Sequence, residues 1–575
     1  MKYLLTLILV FYSISEVHAE EKKIALLYPN NTISLPGENA DGLTDNYYRW
    51  ELFLIQNKYK FDVFTDEQLG EGLSDDYSLL VVPSAKRLSV LEINSIKEFM
   101  GNGNSVLATM NTGVYDSEGK WIGWRTLEDL FGLGSISEIQ PQIPSKIHSL
   151  FGNIHLSKNI PPGFRLQVTT DEKPIEAKIN SENTFPAGYW QNSEIPFEGR
   201  RNSDCTTSIV YGNYGKGKFI WLGFELSAVV GAKIHQVIAN QLVKNSLDWL
   251  TNELIVQIET WPKARQSAVV LSCDVEFKFT LINNFLDLLE EENLPAHFYI
   301  LTESIDSLSL KRLKNKGDIG LHGDDHNSFR FQNYDTQFKR LKDGIAALEY
   351  FTGKKTKAFR PPETYFDNVT LAALSAHNIN ILSADFIEDR AVPQFLTEYP
   401  DLLIIPKTGF DDYDIFQRLR LLTPEEQSGR YLSDFNRTYE EGSLFNLNIH
   451  TQMQCQPEFM GALKVPIQTF KSHDVWITTH SRIYDWWNKK SKIKIIETKT
   501  DEKTYVIEVE NTGELQVEDV VIGIYKNSFK DFFSSQIMID GRSIDFTSNV
   551  NLNKIYVPLP NLGPREIKRV TIEFF

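Results

Sequence analysis

Two carboxylates close an apolar run in the middle of this chain: Ala268 to Leu271 leads through Ser272 and Cys273 to Asp274, Val275 and Glu276. Alternate residues of a strand point to one side, so Asp274 and Glu276 can enter one pocket just past the strand end. Further on, His322-Gly323-Asp324-Asp325-His326 sets two imidazoles four apart, the spacing that faces them together on a helical turn. Two imidazoles and a carboxylate make the donor set of an open divalent metal site. The second carboxylate is then left free as a base.

The elements that must position these residues alternate between strands and helices. From 259 to 490, candidate strands are Ala268–Cys273, His297–Leu301, Gly317–His322, Lys357–Arg360, Ile379–Ser383, Leu402–Ile405, Ser443–His450 and Val475–Thr478, with helices over Thr280–Glu292 and Thr336–Phe351. Seven or eight such units predict a distorted (β/α)7-type barrel, with the reacting groups at the carboxyl ends of its strands. Residues 20–258 alternate likewise, through Lys23–Tyr28, Phe61–Phe64, Ser78–Pro83 and Ser105–Met110. That pattern predicts a doubly wound α/β domain. From 491 to 575 the period falls to two, with turns at Asn511-Thr512-Gly513 and Asp540-Gly541, which predicts a small β-sandwich. Trp261-Pro262-Lys263-Ala264 reads as a linker, since proline interrupts helix and central strand alike.

Five motifs of the middle segment, taken in order, resemble the polysaccharide deacetylase family with its NodB-type domain (carbohydrate esterase 4-like). They are Ser272-Cys273-Asp274-Val275-Glu276, His322-Gly323-Asp324-Asp325-His326, Phe359-Arg360-Pro361-Pro362, Ser383-Ala384-Asp385-Phe386 and Asn446-Leu447-Asn448-Ile449-His450. The resemblance implies one divalent ion on Glu276, His322 and His326, zinc first, with cobalt, nickel or iron as alternatives. It implies Asp274 as the base and His450 as the acid. Arg360 stays charged, so its expected task is to orient Asp274 and hold it ionised. Asp385 is expected to orient His450 and keep it protonated. Tyr365 is the candidate to touch a sugar ring, with a backbone N–H near it for the oxyanion. Three departures bear on substrate range: Glu276 for the usual Asp, Gly323 for Ser or Thr, and Phe386 for Trp. The first domain resembles glutamine-amidotransferase-like (flavodoxin-like) domains, but Met110-Asn111-Thr112-Gly113 stands where a catalytic cysteine belongs. Without a nucleophile that domain is read as structural or ligand-binding.

The totals narrow the class. At 575 residues and a formal charge of −17, the chain needs several cores and lacks the basic excess that nucleic acid demands. Lys2, the apolar run Leu4 to Ile14 and Val17-His18-Ala19 read as a cleaved signal peptide over 1–19, hence a secreted or periplasmic protein without a transmembrane span. Three well-separated cysteines, Cys205, Cys273 and Cys455, are read as buried thiols rather than a disulfide framework. His148, His155, His235, His297, His377 and His473 have no partner at ligand spacing and are read as packing residues; His480 follows the last barrel strand, where the pocket wall is an open alternative. The expected activity is removal of an acetyl group, N-acetyl in preference to O-acetyl, from an acetylated polysaccharide or oligosaccharide. Two alternatives stand beside it: a carbohydrate-binding or assembly protein on a barrel with a decayed site, and a hydrolase of a non-sugar amide. Nothing in the sequence identifies a protein partner.

Overall fold

A computed structural model describes residues 23–575, apart from 142, 193–196, 198, 201–204, 252, 386–389, 500–502, 527–534 and 550–552. The expected signal segment 1–19 and Phe386 lie outside the described residues. Among the described residues, no helix is long and apolar enough to cross a membrane. Cys273 and Cys455 are free thiols and buried, and Cys205 is half-buried.

The middle segment is built on a curled sheet of parallel strands. The barrel strands are β1 (Ser267–Val275), β2 (Ala296–Leu301), β3 (Gly317–Gly323), β4 (Ala358–Phe359), β5 (Ile381–Ala384), β6 (Leu403–Pro406), β7 (Leu444–His450) and β8 (Val475–Thr478). They run in the order β6-β5-β4-β3-β2-β1-β7, with Gln394–Phe395 antiparallel on the outer edge of β6. β1 forks: its first half pairs with β8 (Ser267↔Val475 to Val270↔Thr478) and its second half with β2 (Ser272↔His297 to Val275↔Ile300). Among the described residues, the ladder does not close between β6 and β7. Side chains bridge that gap, the amide N–H of Asn446 donating to Thr408 Oγ1 (3.0 Å) and Asn446 Nδ2 to the Pro406 carbonyl (3.1 Å).

Strand alternation decides what faces the barrel axis. β1 is buried along its whole length, as a parallel strand covered on both faces must be. Its odd residues, Val269, Leu271, Cys273 and Val275, pack outward in the core that the surrounding helices cover. Its even residues, Ala268 and Val270, join Tyr299, Ala358, Ile381, Leu403 and Leu444 in the inner core. Ser272 and Asp274 continue that inner row. β7 repeats the arrangement, with Phe445, Leu447 and Ile449 outward and Asn446, Asn448 and His450 on the alternate face. Polar inner positions cluster at the carboxyl ends of both strands, where the interior opens.

The flanking segments each hold a core of their own. In residues 23–250, parallel strands stand in the order Phe61–Phe64, Lys23–Leu27, Tyr77–Val82, Ser105–Thr109 and Gly217–Leu222, extended by antiparallel Ile209–Tyr214 and Thr184–Pro186. The turn after Ser105–Thr109 holds Met110 at φ +54. A buried carboxylate, Glu225, accepts bonds there from Trp50 Nε1 (3.1 Å), Ser84 Oγ (2.5 Å) and Thr109 Oγ1. In the last segment, two antiparallel sheets enclose a shared core of Val509, Ile522, Ile524, Ile537, Ile555, Val557, Val570 and Ile572. Ile255–Ile258, expected at the end of the first domain, instead pairs antiparallel with Val521–Tyr525 as the border strand of one of these sheets. Just beyond it, buried Glu259 meets Lys554 at 2.8 Å.

Candidate active site

Glu276 stands one residue beyond β1 and is held from both sides. Its amide N–H donates to Thr451 Oγ1 (3.1 Å), and Gln452 Nε2 donates to its Oε2 (2.6 Å). Its other oxygen, Oε1, faces His322 Nε2 at 2.8 Å and His326 Nε2 at 2.9 Å. His322 is the last residue but one of β3 and donates from Nδ1 to the Arg360 carbonyl (2.9 Å). That bond orients the ring and turns Nε2 inward toward Glu276. The ligand atoms of Glu276, His322 and His326 all lie within 4.8 Å of one another. This nitrogen, nitrogen and oxygen set, buried at Glu276 and His322 and half-buried at His326, fits a divalent cation on donor chemistry and on convergence alike.

His326 is carried on a loop rather than on the helical turn expected from its spacing. Gly323 breaks the strand at φ +125, and a Cβ there would meet the Asp325 carbonyl at 2.8 Å. Glycine is therefore a backbone requirement at this position. The loop wraps round one guanidinium. Arg340, buried on the helix Tyr334–Thr352, donates to Asp324 Oδ1 (2.7 Å), to Asp325 through its carboxylate and its carbonyl (3.1 Å), to the Asn327 carbonyl (3.1 Å) and to Gln332 Oε1 (3.2 Å). It also lies over the Phe329 ring at 4.1 Å. Asp324 and Asp325 thus act through Arg340 and do not join the ligand set.

Asp274 is buried beside that set but spoken for by other groups. Arg360 Nη1 donates to its Oδ1 (2.7 Å) and Asn448 Nδ2 to its Oδ2 (3.0 Å). Burial alone would push the carboxyl up, but Arg360, together with His322 and His450, outweighs it and holds Asp274 below the usual carboxylate range. Arg360 is itself locked. It bonds Ser272 Oγ (3.0 Å), Ser383 Oγ (2.9 Å) and Asn448 Oδ1, and it lies 4.3 Å over the Tyr299 ring. For Glu276, burial opposes ionisation, while the bonds to His322 and His326 hold the carboxyl well below its ordinary value.

His450 lies across from Asp274, with 3.6 Å between its Nε2 and Asp274 Oδ2. Its partner corrects the sequence reading. Asp412, not Asp385, meets His450 Nδ1 at 2.5 Å and also accepts the His450 amide N–H (2.7 Å). Burial by itself would lower the imidazole, but the Asp412 charge and hydrogen bond, helped by Asp274 and Glu276, push it up to about 10. Burial also raises Asp412, which the His450 charge draws back; the short contact is that of an imidazolium and a carboxylate. Asp385 bonds Thr364 Oγ1 (3.0 Å) and lies 3.9 Å from Lys407, with no contact to His450.

Tyr365 is half exposed, with the Arg330 guanidinium 5.9 Å from its ring. Its amide N–H turns back to the Pro362 carbonyl at 3.4 Å, so it is engaged in a turn rather than presented to an oxyanion. His297 is buried, and neither ring nitrogen has a partner; it stacks on Tyr299 at 4.7 Å. His480 lies inside the barrel, between Tyr299 Oη (2.7 Å) and Asn446 Oδ1 (3.1 Å). Asp412, Asn448, Gln452 and Arg340 went unassigned in the sequence. Asn448 had a legible signal, sitting two residues before His450 and so on the same face. Asp412 had none, because the run Asp411-Asp412-Tyr413-Asp414 reads like any solvated acidic loop.

No curated protein matches the sequence. Among solved structures, the chain is similar to a Mycobacterium smegmatis protein described as a polysaccharide deacetylase, at 20% identity and TM-score 0.37, over 42% of this chain and 98% of that one. It is similar to the Puue allantoinase at 15% identity and TM-score 0.37, over 40% and 93%. It is also similar to the Bc1960 peptidoglycan N-acetylglucosamine deacetylase at 19% identity and TM-score 0.30, over 39% and 90%. The sequence profile of the family described as Polysaccharide deacetylase matches residues 263–382, a span that includes Asp274, Glu276, His322, His326 and Arg360 and stops before β7. Residues 263–382 thus carry a polysaccharide deacetylase domain.

Proposed function

We propose that the protein is a metal-dependent hydrolase that removes acetyl groups, N-acetyl in preference to O-acetyl, from a carbohydrate polymer outside the cytoplasm. One observation carries the reading: Glu276 Oε1 lies between two imidazole nitrogens, while the neighbouring Asp274 is held ionised by Arg360 and left off that triangle. Glu276, His322 and His326 would hold the ion, zinc first, with cobalt, nickel or iron as alternatives. Such an ion polarises a carbonyl and makes water acidic enough to lose a proton near neutral pH.

The side chains of the chain supply the proton transfers. Asp274 takes the proton from the attacking water. Arg360 and Asn448 fix which carboxylate oxygen faces it. His450, charged by its contact with Asp412, gives a proton to the departing amine or sugar oxygen. A base and an acid side by side next to one ion, here 3.6 Å apart, is an arrangement that acyl transfer to water can use. The flanking segments, read as a flavodoxin-like domain and a β-sandwich, would place the barrel on its substrate. The location outside the cytoplasm rests on the sequence of residues 1–19.

The test is acetate release from acetylated glycans. Release should stop with a chelator and return with Zn²⁺ or Co²⁺. Undiminished release after complete metal removal would refute the mechanism.

A further inference from the structure

Two thiols meet behind the reaction centre. Cys273 precedes Asp274 on β1 and points outward, away from the barrel axis, into the core that the helices cover. Cys455, on the loop after β7, is buried in the same core. Both are 0% exposed. The backbone explains how they come together. Asp274 and His450 stand side by side in the ladder of β1 and β7, and the amide N–H of Thr451 donates to the Asp274 carbonyl (3.2 Å). The loop then doubles back, with the amide N–H of Cys455 donating to the His450 carbonyl (3.4 Å). From the other side, Asn284 on the helix Ile282–Glu292 donates from Nδ2 to the Cys455 carbonyl (2.9 Å). Burial pushes the Cys273 thiol up, and the Cys455 thiol, within hydrogen-bonding reach of it, pushes it further.

The same loop grips the metal triangle. Thr451 Oγ1 takes the amide N–H of Glu276, and Gln452 Nε2 donates to Glu276 Oε2. A bond between Cys273 and Cys455 would therefore tie the strand that bears Asp274 and Glu276 to the loop that holds Glu276 in place. Cys205 packs against the core of the first segment, so it belongs to a different body of side chains.

We infer that Cys273 and Cys455 are a disulfide-forming pair, a covalent staple between β1 and the loop after β7. Both stand as thiols in this structure. Exchange needs access to the sulfur, and these sulfurs are sealed in the finished fold, so the bond closes while the chain is still folding. The oxidant is a low-molecular-weight disulfide. One cysteine thiolate attacks it, forming a mixed disulfide and expelling one small thiol; the second thiolate attacks the mixed disulfide and expels the other. One S–S bond forms in the chain as one breaks in the oxidant, and the two protons lost by the cysteines end on the two released thiols. Such a bond persists in an oxidising compartment, which the location proposed above would supply. The experiment brings its own oxidant, so the staple and the location fail separately.

The full chain is unfolded in reductant, refolded in a buffer of glutathione and glutathione disulfide, and then denatured with N-ethylmaleimide and no reductant. Circular dichroism confirms refolding. The same buffer applied to the native chain in guanidinium just below its unfolding transition gives a route that needs no refolding. Intact mass should show one maleimide, on Cys205, and a tryptic map should show Cys273 linked to Cys455. Cys455→Ser should take two maleimides and Cys205→Ser none. Reductant should lower the melting temperature of the oxidised chain by about 4 °C or more and leave that of Cys455→Ser unchanged. Four results overturn the inference: three maleimides on the oxidised chain, glutathione left on Cys273 or Cys455 in place of the link, a link that uses Cys205, or a melting temperature that reductant does not move.

Discussion

Replacing Asp412 with Asn isolates the acid half of the proposed reaction. The carboxylate lies 2.5 Å from His450 Nδ1 and also takes the amide N–H of the same residue, so the amide variant keeps most of the geometry while losing the charge. His450 is pushed up to about 10 against the pull of burial. An opposite charge in contact is worth about 1–3 pKa units, so the imidazole of Asp412→Asn should titrate about 1–3 units lower. The alkaline limb of kcat/KM, which reports loss of the acid's proton in free enzyme, should move down by the same amount. Near pH 9 the variant should be about 2- to 90-fold below wild type from protonation alone, for a drop of about 1–3 units, and the gap should narrow toward pH 6. Stability follows with a defined sign. A histidine raised in the fold contributes stability that is full below its unfolded value of about 6.5. That contribution is lost as pH rises through about 10, so the variant should be destabilised most below neutrality. The assay is a pH profile of acetate release from pH 5 to 10.5 with the ion supplied, run alongside Asp385→Asn. The reasoning fails if Asp412→Asn lowers the rate uniformly without moving the alkaline limb, or if Asp385→Asn moves it instead.

Other outcomes follow from the same geometry. Asp274→Asn should keep the ion, measured by elemental analysis, and lose about 100- to 10,000-fold in turnover, because only the base is removed; a near wild-type rate would place the base elsewhere. Arg340→Ala frees the loop that carries His326, so chelator competition should show metal affinity weakened about 10- to 100-fold, while unchanged affinity would make the loop self-supporting. Gly323→Ala forces a Cβ to 2.8 Å from the Asp325 carbonyl at φ +125 and should cost about 1–3 kcal/mol in denaturant unfolding; a neutral effect would mean that the loop relaxes freely.

Much of the site was legible because strand alternation is a strong constraint. The two-residue spacing in Asp274 and Glu276, and in Asn448 and His450, carries over directly into which side chains face the barrel axis. His322 and His326 converge as their spacing suggested, but by another route: Gly323 ends a strand, and the loop is shaped by Arg340 from a helix that begins eight residues beyond His326. No local pattern announces that contact. Asp385 was misassigned because a motif position says where a carboxylate stands in order, not which way it points. Asp412 reaches His450 from the stretch after β6, across the gap where the sheet fails to close, and a contact between non-neighbouring strands leaves no periodic trace. The placement of Ile255–Ile258 was illegible for the same reason, since a short apolar run does not reveal which sheet it will join.

That border strand has a practical consequence. The final sheet is completed by residues lying more than two hundred positions upstream, so the chain is stitched back on itself rather than strung as separable beads. A fragment cut to begin at the barrel would bare the backbone edge of Val521–Tyr525, an invitation to intermolecular pairing, and would leave Lys554 buried without Glu259. Attempts to transplant the catalytic portion should carry the tail and residues 255–259 together, or remove both.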